Sequence, residues 1–231
     1  MIRFIKGLLA ASSLAFLAAC GGGGSGGTTV VTSTETFNLS QAWVNYLTAT
    51  QSLPFTVTGN LNGVSVTGTG TYSQSGLQET IFENSPALRK SSTASLRIYA
   101  NGQSTDFALT TGLYVSSNYL PLGSQGDEYG VVSDAVNIPP TARVGDNGVW
   151  YSEKMYPSSA KLYSTGKRTT SFALEPETSI TALLKVIATD FDSTDSQTAS
   201  TVITFRMTPA GALTRLRETT MTSDGQLTVI Y

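Results

Sequence analysis

Histidine is absent from this chain of 231 residues, and its only cysteine is Cys20. Catalytic triads that pair a serine or cysteine nucleophile with histidine are therefore excluded. Zinc sites lose their commonest ligands for the same reason. Chemistry is left to carboxylates, hydroxyls and amines. No disulfide can form within one chain, so the folded domain depends on packing and backbone hydrogen bonds.

One acidic cluster, formed by Asp190, Asp192 and Asp195, has the oxygen ligands that calcium prefers. Its spacing matches no EF-hand loop, it lacks the glycine of the sharp turn, and no bidentate glutamate closes it. The cluster also lies between two predicted strands, where a solvated turn belongs. We therefore predict no metal site and no cofactor, with this loop as the remaining metal candidate.

Glu175 and Glu177 flank Pro176 and form the one carboxylate pair that suits acid–base chemistry or glycoside hydrolysis. Both follow the end of a predicted strand, a position that any β protein offers to charged residues. We therefore predict that the protein is not an enzyme, and keep a carboxylate-dependent hydrolase as the least favoured hypothesis.

Two further groups of side chains are explained by strand structure. Aromatic platforms bind sugars or peptides, but aromatics of a β domain are more often core or cross-strand partners. Arg215 and Arg217 are two residues apart, which predicts one solvated strand face for both. The aromatic cluster consists of Trp150, Tyr151, Tyr156 and Tyr163.

Residues 1–19 have the order of an export signal, with a basic start at Arg3 and Lys6 followed by an apolar run. That run is shorter than the roughly 20 residues that span a bilayer. It ends in Leu17, Ala18, Ala19 and Cys20, which resemble the lipobox cut by lipoprotein signal peptidase. The resemblance implies cleavage before Cys20 and attachment of acyl chains, such as palmitate, to its sulfur and amine.

Residues 20–36 predict a lipidated cysteine followed by a flexible tether, because residues 21–27 are all glycine except Ser25. A coil of this composition and length reaches roughly 20–24 Å. Gly21 after the cysteine resembles the sorting pattern for the outer membrane. We therefore expect a cell-envelope lipoprotein that is anchored in the outer membrane and faces the periplasm.

Residues 37–231 predict a single β-rich domain. Apolar residues make up 40% of the chain and charged residues 13%, a balance that allows a sizeable core and excludes disorder. Ser40 is the expected cap of one short helix, from Gln41 to about Ala49. Beyond it the apolar residues alternate with polar ones, and Asn62-Gly63 and Asn101-Gly102 predict tight hairpins.

The alternation predicts an all-β fold: an antiparallel meander of about 10–12 strands. The sheet must hide its apolar face, so we expect a half-barrel, an open barrel or a sandwich, with the N-terminal helix across the open side. Residues 114–140 contain several glycines and prolines, which predicts a long connection with one strand, Glu128–Asp134.

Residues 37–231 resemble the uncharacterised β-rich lipoproteins of proteobacteria. Three stretches carry the resemblance: Phe37-Asn38-Leu39 with Trp43, Tyr119–Gly123, and Val144-Gly145-Asp146 through Trp150-Tyr151. These motifs are structural, and the resemblance implies no known activity. A meander with a packing helix is also similar, as a fold, to the half-barrel lipid carriers of the periplasm.

The sequence supports two non-catalytic hypotheses. The first is an anchored structural or partner-binding module of the envelope, and the alternative is a carrier of a lipid or other apolar ligand inside the curled sheet. The carrier hypothesis requires an interior cavity of several hundred cubic ångströms. Nucleic acid is excluded as a partner because the net charge is −2 and no basic stripe occurs. The membrane, reached through acyl chains on Cys20, is the expected partner.

Overall fold

The computed structural model describes residues 32–231, in which one helix is followed by thirteen strands. No helix in this range has the length and apolar character needed to cross a bilayer. The elements are α1 (Leu39–Thr48), β1 (Gln51–Leu61), β2 (Val64–Gln74), β3 (Gln78–Phe82), β4 (Ser85–Ala100), β5 (Gln103–Val115), β6 (Pro121–Gln125), β7 (Tyr129–Val132), β8 (Asn147–Tyr156), β9 (Gly166–Pro176), β10 (Ala182–Asp192), β11 (Gln197–Met207), β12 (Leu213–Thr222) and β13 (Gly225–Ile230).

Twelve of these strands form a closed antiparallel barrel, and β3 is an extra strand beside the first part of β4. The closure is the pairing of β2 with β4, from Val66 opposite Ala100 to Gln74 opposite Ser92. The predicted all-β meander is confirmed, but the half-barrel, open-barrel and sandwich alternatives are wrong. The closing pair occupies backbone groups that would otherwise form exposed sheet edges.

The two predicted Asn-Gly hairpins are confirmed. Asn62 and Asn101 have φ angles of 51°, and the glycines that follow have φ angles of 79° and 72°. These are the left-handed conformations that a two-residue turn between twisted strands requires. One turn joins β1 to β2 and the other joins β4 to β5.

Residues 114–140 contain one strand more than predicted: the predicted strand Glu128–Asp134 is found as β7, whereas β6 was not predicted. The two strands pair with each other through Gly123 opposite Val131. Both strands are short, so they cover less of the barrel's length than their neighbours do. We call this short part of the barrel the low wall, and the interior can be reached above it.

The helix closes one end of the barrel instead of lying across an open side. Its N-cap is Asn38 and not Ser40, because the Asn38 side chain accepts a hydrogen bond of 2.9 Å from the backbone N–H of Gln41. The Trp43 indole donates to the carbonyl of Tyr119, and Asn45 donates to that of Gly211. These carbonyls belong to loops at one end of the barrel, which we call the plugged end.

Lys90 holds the other end of the helix from inside the barrel. This side chain on β4 is only 1% exposed, and its ammonium donates to the carbonyls of Leu47, Ala49 and Ser75 at 3.1, 2.7 and 3.1 Å. The last carbonyls of a helix have no partner within it, so a cation there is favourable. Burial lowers the pKa of Lys90 to about 8.

Gly70 should be intolerant of side chains because it lies where the barrel closes. A Cβ at this position would lie 2.4 Å from the carbonyl oxygen of Ser95 and 2.5 Å from the Phe55 ring. Gly70→Val is therefore expected to lower the free energy of unfolding by roughly 1–3 kcal/mol through overpacking. Denaturant unfolding of this variant and of Thr69→Val tests this. Thr69 is exposed on the same strand, so equal stability of the two variants would contradict the assignment.

Candidate functional site

The barrel contains a cavity of about 1130 Å³. The cavity lies between α1 and the inner faces of strands from β4 to β12. Ligand sites of proteins typically have volumes of about 300–1,000 Å³, so this space is large enough for a substantial ligand. A barrel of eight strands is filled by its own side chains, whereas twelve strands enclose more space than side chains and one short helix occupy.

The cavity reaches the surface at the end of the barrel opposite the helix, above the short strands β6 and β7. Its lining includes Asp127 in the β6–β7 turn and Tyr163, which is 65% exposed in the β8–β9 loop. β5 pairs with β6 only from Gly112 to Val115. Within the described chain, the rest of β5 has no partner strand on that side. The cavity therefore has an entrance where the wall is incomplete.

The wall nearest the helix is apolar and aromatic. Trp150 stacks on Phe172 with 5.7 Å between ring centroids and meets Trp43 edge-on at 5.9 Å. Tyr46 on the helix packs edge-on against Phe205 at 6.1 Å. Aliphatic side chains of β10 and β11 continue this wall: Leu184, Val186 and Ile203. This part of the cavity suits the apolar body of a ligand.

A β-bulge brings Trp150 into this wall. The register between β8 and β9 shifts between Val149 and Tyr151, so Trp150 is the extra residue. Both Trp150 and Tyr151 are consequently buried, although neighbours in a regular strand point to opposite faces. The indole N–H of Trp150 is buried with no hydrogen-bond partner among the described residues. The sequence prediction that this pair belongs to the core is confirmed, but no feature of the sequence predicted the bulge.

The wall nearer the entrance is polar and carries a cluster of ionisable side chains. Arg168 on β9 binds Asp190 on β10 through two hydrogen bonds of 2.6 and 3.0 Å. Glu153 on β8 is paired in register with Arg168, so the two side chains share the inner face. The sequence analysis did not single out Glu153 or Arg168, because alternation shows that one face is buried without showing which charged residues lie on it.

Glu153 is the most unusual group in the cavity. Its side chain is buried, with the residue 2% exposed, and its Oε1 atom has no hydrogen-bond partner in the described part of the chain. Gly130 on β7 leaves the room for it, since a Cβ there would lie 2.9 Å from Oε1. Burial raises the pKa of the Glu153 carboxyl, and the nearby Arg168 guanidinium and Ser124 hydroxyl offset this only in part. Native proteins rarely leave a buried carboxylate oxygen unpaired.

A second buried charge, Arg215, has a carboxylate and two aromatic rings around it, although its Nε and Nη1 atoms have no hydrogen-bond partner among the described residues. Its guanidinium lies over the rings of Tyr72 and Tyr231, at 4.1 and 4.7 Å from their centroids, and forms an ion pair with Glu218. The expectation that Arg215 and Arg217 share a solvated face is wrong. Leu216 is the extra residue of a bulge, which turns Arg215 inward and leaves Arg217 exposed.

The candidate calcium loop is a turn whose carboxylates point to separate partners. Asp190 is bound to Arg168 inside the barrel, and Asp195 pairs with Lys167 at 2.7 Å. Asp192 accepts hydrogen bonds from the backbone and hydroxyl of Thr194, and these lower its pKa. Residues 32–231 contain no group of three ligating side chains placed for a metal ion.

The two glutamates considered for acid–base chemistry do not act as a pair. Glu175 binds Lys185 at 2.5 Å, whereas Glu177 binds Arg206 through hydrogen bonds of 2.6 to 3.0 Å. Each carboxylate is thus matched with its own cation on a neighbouring strand. The carboxylate hydrolase hypothesis loses its proposed residues.

The predicted lipidation site lies outside the described residues. The structure does not describe Cys20 or the residues predicted for peptidase recognition, which are Leu17, Ala18 and Ala19. The roles of these four residues stay predictions. The described chain reaches the barrel at the plugged end, where Phe37 bridges to Ala142. The cavity entrance is therefore at the end of the barrel away from the point where the described chain reaches it.

Comparison of the chain with protein-family models, with curated proteins and with solved structures gives no significant match. The cavity and its lining are consequently the observations from which a function has to be inferred.

Glu153→Gln should raise the free energy of unfolding at pH 7 by roughly 1–3 kcal/mol, because a neutral amide replaces a buried and unpaired carboxylate. Chemical denaturation at pH 7 measures the difference. Glu79→Gln is the matched control, since Glu79 is exposed on β3 and should give no change. A destabilised Glu153→Gln variant would contradict the view that this carboxylate is unsatisfied.

The raised pKa of Glu153 predicts how the free energy of unfolding depends on pH. In the unfolded chain the Glu153 carboxyl loses its proton near pH 4.5, whereas the folded protein keeps it to higher pH. The folded state therefore binds more protons above pH 4.5, and this contribution to stability is lost as the pH rises through the raised pKa. Unfolding from pH 4 to 8 should show this decline in the wild type and in Glu79→Gln but not in Glu153→Gln. Parallel curves would refute it.

Proposed function

We propose that this protein is a lipid-anchored binding protein of the cell envelope that holds an elongated, largely apolar ligand inside its barrel. The observation that supports it is the cavity of about 1130 Å³ with an aromatic wall, a polar wall and an entrance beside the short strands. Such a combination of apolar lining with a few polar groups is typical of ligand sites. The proposal takes up the carrier hypothesis, which required a cavity of this kind.

The position of the entrance supports the proposal. An anchor on Cys20 would act on the plugged end, which the chain reaches through Phe37. The membrane would then not cover the entrance, and a tether as flexible as its glycine-rich sequence predicts would let the entrance sample the space around the anchor. We expect this space to be the periplasm next to the outer membrane, as the lipobox and Gly21 suggest.

A structural or partner-binding module is the second candidate function. The part of β5 from residue 103 to residue 111 offers a strand edge that is unpaired within the described chain. Such an edge can accept a strand from another protein. The cavity favours the binding of a small ligand over this role, because a barrel that serves only as a structural module has no need of an interior space.

Filling part of the cavity should weaken ligand binding without harming the fold. Ala188 and Ala199 line the cavity on β10 and β11, and changing both to leucine would occupy part of it. We expect the neutral apolar fluorophore N-phenyl-1-naphthylamine to bind the wild type, and the double variant to bind it at least tenfold more weakly. Fluorescence titration measures this, and thermal unfolding should show an equal or higher Tm.

The control for this experiment is Ala210→Leu, an exposed residue in the turn between β11 and β12. It should bind the fluorophore like the wild type. Equal binding by the double variant and this control would mean that the fluorophore does not occupy the cavity. Absence of binding to the wild type would count against a ligand-binding function.

The anchor is tested by metabolic labelling with a fatty acid. Cys20→Ser should lose the label entirely and accumulate as uncleaved precursor, because the thiol is the expected acceptor of the diacylglycerol group. Ser25→Ala, in the tether, should be labelled like the wild type. A wild-type protein without label, or a labelled Cys20→Ser variant, would remove the anchor from the proposal.

A further inference from the structure

We propose that the ligand is an amphiphile whose polar end carries a protonated amine, and that Glu153 is the residue that binds this end. The inference rests on the proposed binding function and adds the chemical class of the ligand. Lipids with an amine head and free long-chain amines share this chemistry.

The first argument is that Oε1 of Glu153 lacks a hydrogen bond that a ligand could provide, although Arg168 and the Ser124 hydroxyl lie near the carboxyl. The carboxylate lines the cavity, is buried, and leaves Oε1 without a hydrogen bond from the described chain. The nearest cation, Arg168, already gives two hydrogen bonds to Asp190. An ammonium group has three donors and a positive charge, so it would satisfy both the unpaired oxygen and the charge of Glu153.

The second argument is the charge around the entrance. Among residues 32–231, one basic side chain, Arg168, and four acidic side chains line this part of the cavity. The four acids are Asp127, Glu128, Glu153 and Asp190. Nearby lysines have other partners, since Lys167 pairs with Asp195 and Lys161 pairs with Glu83. The other lining lysine, Lys90, is bound to helix carbonyls at the plugged end. A cation is therefore attracted to the entrance and an anion is repelled.

The third argument is the order of polar and apolar surfaces along the cavity. Glu153 lies three residues from the end of β8 at the entrance, whereas Trp43 and Tyr46 lie at the plugged end. A bound amphiphile would thus place its amine at Glu153 and its chain against the aromatic wall. A small amine without a chain would leave the aromatic wall unused.

The test compares three probes that share a twelve-carbon chain: dodecylamine, 1-dodecanol and dodecanoate. Each displaces N-phenyl-1-naphthylamine from the full chain carrying Cys20→Ser, so that no acyl group of the protein competes for the cavity. We expect dodecylamine to displace the fluorophore at a concentration at least tenfold lower than dodecanoate, with 1-dodecanol between them. n-Butylamine should displace it poorly.

In the same background, Glu153→Gln should weaken displacement by dodecylamine at least tenfold and leave 1-dodecanol nearly unchanged. Glu79→Gln should behave like the parent protein. If the fluorophore binds but the three probes are equivalent, or dodecanoate is preferred, the amine inference is wrong while the binding function stands. Equal potency of n-butylamine and dodecylamine would contradict the inference that the ligand is an amphiphile. If neither the fluorophore nor any probe binds, the proposed function itself fails.

Discussion

The pairing of β2 with β4 is the constraint on which the rest of the structure depends. It turns a meander into a ring of twelve strands, from Val66 opposite Ala100 to Gln74 opposite Ser92. Strand number sets the diameter of a barrel, and twelve strands leave more interior than their side chains fill. The helix is the protein's partial solution to this excess volume. It closes one end through Trp43 and Lys90, and the space that it does not fill is the cavity.

Inside this ring, two buried charged sites contrast with Glu153. Lys90 has three carbonyl partners, and Arg215 has Glu218 and two aromatic rings as partners for its charge, although its Nε and Nη1 atoms have no hydrogen bond among the described residues. Both are explained by the fold, because one holds the helix and the other joins strands of the barrel wall. Glu153 holds no element in place through Oε1, and its neighbour Gly130 leaves space beside it. Under the proposed function, the ligand would supply the hydrogen bond that Oε1 lacks.

The sequence predicted the local features of the fold better than the closure. The Asn62-Gly63 and Asn101-Gly102 turns and the strand alternation are local signals, and they were sufficient for the meander. The closure joins residues far apart in sequence, such as Val66 and Ala100, for which no local pattern exists. The bulges at Trp150 and Leu216 each interrupt the alternation of faces. Arg215 and Arg217, which flank the second bulge, therefore point to opposite faces, whereas strict alternation placed both on the solvent face. Glu153 was missed for a related reason, because a charged residue in an alternating strand is assigned by default to the solvent.

The stability of the barrel also bears on why the cavity is not simply filled. Leucine or phenylalanine at positions such as Ala188 and Ala199 would bury additional apolar area, and core packing generally rewards such changes. Instead, small side chains line β10 and β11 near the entrance, directly beside the buried cluster of Arg168 and Asp190. An unfilled interior and an unpaired carboxylate both lower stability. The two features occur at one site, next to the short strands β6 and β7, and the proposed binding function would account for both.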